Sequence, residues 1–288
     1  MHIPTLLQDG KVHISCEIFP PKEFSGLSQA VGVAQEIAEL SPAFVSVTYG
    51  AAGNTAAHTL EIAQAVKEAG GTPLYHLTCA SSTENQMVKR LHELKAAGIE
   101  NILALRGDIP EGAVFPGPRQ YQFASDLISK VKAFGGFAIG AACYPEGHPE
   151  APSKDRDLDN LRKKVDAGAE FLTTQLFFDN NILYNFLYRA LQKGVSVPVA
   201  AGIMPVVNAA QIKRICSLSG ASLPPRFAAI VDRFSNNTKA MRQAGVAFAT
   251  EQIIDLIANG VNNIHIYTMN RPQIAAAIFN NLSNILGE

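Results

Sequence analysis

The sequence predicts an α/β chain folded as a (β/α)8 TIM barrel, with an extra helical segment between strands 7 and 8. Three observations predict it. Short β-rich runs recur about every thirty residues, the length of one βα unit. Helix-spaced apolar stretches lie between them. Polar residues gather at the C-terminal ends of the runs, the face on which such barrels place their chemistry.

Strands are expected at His13–Ile18, Ala43–Thr48, Pro73–Thr78, Asn101–Leu105, Phe137–Ala142, Ala169–Gln175, Val197–Gly202 and Asn262–Tyr267. Between them, Ile182, Leu183, Phe186, Leu187, Ala190 and Leu191 form one apolar stripe, and Ile274, Ile278, Leu282 and Ile285 another. Ala69-Gly70-Gly71, Ala97-Gly98 and Lys193-Gly194 supply the glycine that closes a helix. The last interval is about twice the usual length; it holds Leu223–Phe234 and Thr238–Asn259, where an extra helix is expected. A doubly wound open sheet would carry a glycine-rich turn after its first strand, and this chain has Phe19-Pro20-Pro21-Lys22 there. The 288 residues are read as one catalytic barrel, residues 1–288.

Composition narrows the function. With 47% hydrophobic against 17% charged residues the chain can bury a core, which excludes intrinsic disorder. The 24 basic and 25 acidic residues leave a net charge of -1, without the basic excess that phosphate neutralisation asks of a nucleic-acid binder. No apolar run is long enough to span a bilayer, and the start MHIPTLLQDGK lacks the pattern of a secretory signal. Cys16, Cys79, Cys143 and Cys216 lie far apart, as small apolar residues of a reducing compartment do. A cytoplasmic protein is expected, without nucleic-acid or membrane partners.

Strand alternation places the candidate site. Ile14, Cys16 and Ile18 share the apolar parity of the first strand, so Ser15 and Glu17 should enter the lumen. The same logic puts Thr48, His76, Arg106, Gln175 and Tyr267 on or just beyond the inner face, with Asp108 following Arg106 across Gly107. Each has an ordinary structural reading: a paired carboxylate, a satisfied core histidine, a strand-end ion pair, hydrogen-bonded lumen fillers. Their coincidence on one rim favours a polar cavity and an enzyme. No inferred strand ends in a Schiff-base lysine, and there is neither an HExxH nor a GxSxG motif. No metal site is expected; a bound organic cofactor would supply the missing reactivity.

In order along almost the whole chain stand SCEIFPPK (Ser15–Lys22), SVTYGA (Ser46–Ala51), HLTC (His76–Cys79), LRGD (Leu105–Asp108), YPEGHPEA (Tyr144–Ala151), KVDAGA (Lys164–Ala169), TQLFFD (Thr174–Asp179), GIMPV (Gly202–Val206) and YTMNR (Tyr267–Arg271). Taken together they resemble the methylenetetrahydrofolate reductase family. The resemblance implies a (β/α)8 barrel, noncovalent FAD, NADH or NADPH as co-substrate, and reduction of 5,10-methylenetetrahydrofolate to 5-methyltetrahydrofolate for methionine synthesis. Glu17 would be the acid that protonates folate N10 and opens the ring to an N5 iminium. Such an acid needs a raised pKa, which an enclosed lumen can give by desolvation. Hydride would pass from reduced flavin to the methylene carbon. Asp108 would sit beside the flavin, disfavouring its anionic reduced form and stabilising the cationic iminium.

The resemblance further assigns Thr48, His76, Arg106, Gly107, Asp108, Tyr144, His148, Asp157 and Lys164 to the cofactor. Arg106 and Lys164 suit pyrophosphate or ribose, and Tyr144 a flat ring. Glu17, Asp108, Gln175, Gln211, Tyr267 and Arg271 fall to the substrate, with Gln175 able to bond the pterin edge. One departure stands out: Ile215 occupies a place where the family often has an aromatic residue, so stacking there would be lost. Bacterial relatives imply a homo-oligomer, a tetramer among them. Longer relatives carry a second domain that senses S-adenosylmethionine, and this chain is expected to lack it. Two other readings fit the same residues: a barrel enzyme without flavin, either a lyase or one passing hydride directly from nicotinamide, and a flavin- or folate-binding subunit that takes its electrons from a partner protein.

Overall fold

A computed structural model describes residues 1–288 apart from 22, 50–55, 81, 110, 111, 113 and 288, and of 56 and 57 the backbone alone. Lys22, Gly50 and Ala51 of the motifs above lie outside the described residues. The first half of the chain runs α1 (Ile3–Leu6), β1 (His13–Ile18), α2 (Leu27–Glu39), β2 (Val45–Val47), α3 (Ala56–Glu68), β3 (Pro73–Thr78), α4 (Glu84–Ala96) and β4 (Asn101–Leu105). The second half runs α5 (Ala124–Phe134), β5 (Ala138–Cys143), α6 (Lys154–Ala167), β6 (Phe171–Thr174), α7 (Asn180–Gln192), β7 (Val199–Ile203), α8 (Ala209–Ser219), α9 (Pro225–Phe234), α10 (Thr238–Ala258), β8 (Asn263–Tyr267) and α11 (Pro272–Leu286).

All eight strands pair in parallel and in chain order, and β8 returns to β1, with Ser15 level with His265 and Glu17 with Tyr267. The expected strands thus appear, several with shifted ends: β2 is shorter than 43–48, and β5 and β7 each start and finish slightly later than expected. Between β7 and β8 the chain forms α8, α9 and α10, two helices beyond the usual one where a single extra helix was expected.

The parity of the first strand holds. Ile14, Cys16 and Ile18 pack outward in the main core with Leu27, Ala30 and Ile37 of α2, so Ser15 and Glu17 take the other side. At the bottom of the lumen Phe44, Leu74, Leu103 and Phe171 meet Ile3 and Leu7 in an apolar plug. The short α1 closes that end, tied by the Ile3 N–H to the Asn101 side-chain oxygen at 3.0 Å. Above the plug the lumen turns polar, with Ser15, Ser46, His76 and His265 all buried.

Helix ends follow local chemistry. Thr83, Ser153, Asp179, Asn208 and Asn237 cap α4, α6, α7, α8 and α10 by accepting backbone N–H bonds. Gly98 and Gly194 follow α4 and α7 with φ of +65° and +76°, a backbone that a side chain would strain. The apolar stripes are narrower than expected. On α7 Leu183, Phe186 and Ala190 are buried, whereas Leu191 is 63% exposed because it falls off the edge of that face. Ile285 of α11 is likewise exposed.

The added helices have a core of their own. Phe227 of α9 stacks on Phe248 of α10 at 4.0 Å, and Leu176, Phe178, Met204, Val206 and Ile212 close around them. This second core backs the segment after β7. Gly245 of α10 makes the contact possible: a Cβ there would meet the Val206 carbonyl oxygen at 1.9 Å.

Candidate active site

The polar layer is built by alternation on adjoining strands. Glu17 is the last residue but one of β1, and its side chain keeps only 18% exposure. Its Oε2 lies 3.6 Å from Nε2 of His265 on β8 and 3.8 Å from Nε2 of His76 on β3. Each imidazole has a serine beside it. Ser15 Oγ is 2.8 Å from His265 Nδ1, and Ser46 Oγ is 2.6 Å from His76 Nε2. Burial lowers the His76 pKa to about 4; Glu17 opposes the shift and His265 adds to it. His76 is therefore a neutral imidazole at physiological pH.

Tyr267, two residues beyond His265, donates its hydroxyl to the Thr174 carbonyl at 2.6 Å. Burial drives its pKa well above the ordinary phenol value, with Glu17 and Tyr144 adding in the same direction. Gln175, half-buried just beyond β6 although the sequence placed it in the strand, accepts the Leu176 N–H on its side-chain oxygen at 2.8 Å.

A cleft of about 580 Å³ opens at the C-terminal ends of β4 and β5. Arg106, Gly107 and Asp108 line it from the β4 side, Tyr144, His148 and Glu150 from the β5 side. Helix α6 adds Asp157, Asn160 and Lys164, which share one face at i, i+3 and i+7, while Leu158 and Leu161 are buried in the core. Gly107 has φ +81°, and a Cβ there would come within 2.9 Å of Thr78 Cβ, so this turn needs glycine to lie against β3.

The charges of the cleft are interlocked. Arg106 makes a two-pronged ion pair with Glu150, Nη2 to Oε1 at 2.8 Å and Nη1 to Oε2 at 2.5 Å, and its Nε donates to the Gly107 carbonyl at 3.3 Å. That pair holds the Glu150 carboxyl below its ordinary pKa. Asp157 accepts the His148 N–H at 3.1 Å; burial raises its pKa, and the bond and Lys164 oppose the rise. Lys164 donates to the Ala142 carbonyl at 2.9 Å, and its pKa is lowered by burial against the pull of Asp157. Tyr144 packs edge-on to His148 with ring centres 4.6 Å apart, and burial lifts its pKa to about 12. With Arg156 and Lys163 also on its wall, the cleft joins cationic groups to an aromatic ring and small alanines, including Ala104 and Ala142. Its size and donor set suit a long ligand with a diphosphate and a flat ring.

A smaller cavity of about 190 Å³ lies beyond β7 and β8, lined by Phe19, Met204, Gln211, Ile215, Met269 and Arg271 among others. Met269 and Asn270 hold positive φ, 53° and 54°. Asn270 fixes this turn to the first strand's exit: its Oδ1 accepts the Phe19 N–H at 2.9 Å and its Nδ2 donates to the Phe19 carbonyl at 2.8 Å.

The structure thus gathers Arg106, Gly107, Asp108, Tyr144, His148, Asp157 and Lys164 around the larger cleft and Gln211 and Arg271 around the smaller cavity. His76 sits elsewhere, beside Glu17 and against Ser46. Thr48 follows β2, its N–H bonded to the Ile18 carbonyl at 3.0 Å. Sequence reasoning missed His265, Glu150 and Asn270. The inward parity that selected Tyr267 also selects His265 two residues earlier, so that signal was available. Glu150 and Asn270 stand inside quoted motifs, but nothing in a linear motif names the partner it will meet.

A family model described as methylenetetrahydrofolate reductase matches residues 2–283. A 5,10-methylenetetrahydrofolate reductase of Pectobacterium carotovorum is 34% identical over 95% of this chain and 91% of its own, and that of Escherichia coli K12 gives the same figures. Methylenetetrahydrofolate reductase (NADH) 1 of Zea mays is 34% identical over 96% of this chain, which spans 49% of that longer relative. Among solved structures, an uncharacterised protein from Clostridium thermocellum that binds two copies of 5-methyl-5,6,7,8-tetrahydrofolic acid shares the fold, with a TM-score of 0.63, 12% identity and 99% of each chain covered.

Proposed function

This chain belongs to the methylenetetrahydrofolate reductase family, a family of oxidoreductases, and from that premise we propose that it reduces 5,10-methylenetetrahydrofolate to 5-methyltetrahydrofolate with NAD(P)H as donor and FAD in the larger cleft. Bound FAD would supply the chemistry that side chains lack, hydride transfer in two half-reactions. Arg106, Lys163 and Lys164 would hold its diphosphate, and Tyr144 would offer a ring face. The product's methyl group would serve methionine synthesis.

The observation that carries the reading is Glu17, a largely enclosed carboxyl among buried imidazoles on the rim that the larger cleft shares. A proton delivered from there to folate N10 breaks the five-membered ring and leaves the carbon on N5 electrophilic. Asp108, at the wall of the cleft, adds negative charge, which disfavours an anionic ring beside it and favours a cation. Gln175 and Tyr267 would orient the pterin, and Gln211 and Arg271 the remainder of the folate or the nicotinamide.

The test is anaerobic spectroscopy of Glu17→Gln with its flavin. Bleaching by NADH should proceed as in the wild type, while reoxidation by methylenetetrahydrofolate should slow by about 10²- to 10⁴-fold, the usual worth of a general acid. Near-full folate turnover in this variant would remove Glu17 from the mechanism. Wild-type flavin that NADH cannot bleach would mean that a partner protein delivers the electrons, and failure to take up FAD would overturn the flavin reading.

A further inference from the structure

The Nε2 atom of His265 is fully buried and, unlike Nδ1, has no hydrogen-bond partner. A buried polar atom left alone is costly, and such atoms are rare. The group it faces is Glu17, whose Oε2 is 3.6 Å away. Of the basic side chains among the described residues, only His265 and His76 come within 4.0 Å of that carboxyl. His76 spends the same ring nitrogen on Ser46 at 2.6 Å. His265 therefore has the one imidazole nitrogen near Glu17 that is otherwise unused.

Its protonation can be read from the serine behind it. Ser15 Oγ donates to the Ile264 carbonyl at 2.9 Å, and a hydroxyl has a single hydrogen to give. Towards His265 Nδ1, 2.8 Å away, Ser15 can then only accept. A neutral His265 carries its hydrogen on Nδ1 and presents a bare lone pair at Nε2. The ring is held in this pose by Phe44, stacked at 5.7 Å and 19°, and by Tyr267, edge-on at 5.5 Å.

We propose that His265 is a positioning residue for Glu17: its Nε2 lone pair accepts a hydrogen bond from the protonated carboxyl and so keeps the acid loaded with its proton until folate arrives. The inference rests on Glu17 being the acid of the reaction proposed above. A carboxylate offers this lone pair no hydrogen and is repelled by it; a carboxylic acid satisfies it. A carboxyl movement of under about 1 Å brings the pair to hydrogen-bond distance. Ser15 acts one step further back, by fixing which tautomer Glu17 meets. The other titratable groups that face Glu17 are His76 from β3, held neutral by burial, and Tyr267 from β8, held as a phenol.

The test uses the flavin-loaded protein and two variants. His265→Phe keeps a ring but removes the lone pair, and leaves Ser15 still bonded to Ile264. Ser15→Ala keeps the imidazole but frees it to place its hydrogen on Nε2, where it would favour the carboxylate. In both, the pH limb of folate-dependent flavin reoxidation should move down by about one pH unit, the worth of one buried hydrogen bond. His265→Gln, whose side-chain oxygen can accept in place of Nε2, should restore the wild-type limb. Reduction of the flavin by NADH should be unchanged throughout. Without folate, the protonation of Glu17 itself is followed by infrared difference between each protein and its Glu17→Gln counterpart, and should shift by the same amount.

Limbs and infrared titrations that coincide with the wild type in both variants would overturn the proposal. If His265→Phe does not fold, Ser15→Ala decides alone. Should Glu17→Gln retain folate turnover, the acid assignment falls, while the infrared titration still reports whether His265 holds the proton on Glu17.

Discussion

Tyr267 on β8 reaches across the lumen to the Thr174 carbonyl on β6, a 2.6 Å hydrogen bond that passes over β7. It can do so because β7 offers no side chain beneath the ring. A Cβ on Gly202 would lie 2.7 Å from Tyr267 Cε2 and 2.5 Å from the Thr174 oxygen. A missing methyl on one strand thus sets the tilt of an aromatic on the next, and with it one wall beside Glu17.

Gly202→Ala should force Tyr267 off that carbonyl. The expected cost is about 1–3 kcal/mol of stability, as for other overpacked cores, read by urea unfolding. Folate turnover should fall while NADH still reduces the flavin, because the disturbed wall lies by Glu17 and away from Arg106 and Lys164.

Arg106 is not replaceable by lysine. It meets both oxygens of Glu150 and the Gly107 carbonyl at once, a geometry that a planar five-donor group satisfies and an ammonium does not. Arg106→Lys should weaken FAD binding by about tenfold or more, equivalent to about 1.4 kcal/mol. Fluorescence titration of the flavin-stripped protein measures it, and wild-type affinity in the variant would take Arg106 out of cofactor binding.

His76 makes a definite contribution to acid sensitivity. Its pKa is about 4 in the fold against 6.5 in a free imidazole, because burial penalises the charge. Between those values the unfolded chain takes up a proton that the folded one refuses. Stability should therefore fall as the pH drops from about 6.5 to 4 and level off below, by on the order of 3 kcal/mol for this group. Urea unfolding of the wild type and of His76→Gln across that window isolates the term, since the variant should lose less stability over the same interval.

Asn270 should matter for binding more than for chemistry. Its two bonds to the Phe19 backbone join the turns after β8 and β1, and both Phe19 and Met269 line the smaller cavity. Asn270→Ala should raise KM for whichever substrate occupies that cavity several-fold, with a smaller change in kcat, and cost about 1–2 kcal/mol of stability. An unchanged KM for both folate and nicotinamide would exclude the cavity from binding either.

Much of this was legible from sequence because it is periodic. Strand recurrence gave the barrel, and a period of two placed Ser15, Glu17 and Tyr267 at the lumen without reference to any relative. What stayed hidden is pairing across long chain separations. His265 was readable as inward-facing, yet its tie to Ser15 depends on the closure of β8 onto β1. Glu150 is an exposed residue of its motif, and only the folded turn after β5 brings it to Arg106. The segments that became α9 and α10 were legible almost to the residue, but their number as separate added helices was not: they bury their apolar faces against each other and the segment after β7, so counting strands says nothing about them.

The seam between β1 and β8 also sets the order in which this protein can be made. Ser15 and His265 are 250 residues apart in the chain. At about 5–20 residues per second of synthesis, Glu17 waits roughly 12 to 50 s on the ribosome before the His265 imidazole exists. Throughout that time β1 is an open sheet edge, a template for any other strand nearby. β8, the last of the eight strands to be made, closes that edge and brings His265 and Tyr267 to Glu17 in the same event, so a nascent chain that stalls before β8 should be prone to aggregate.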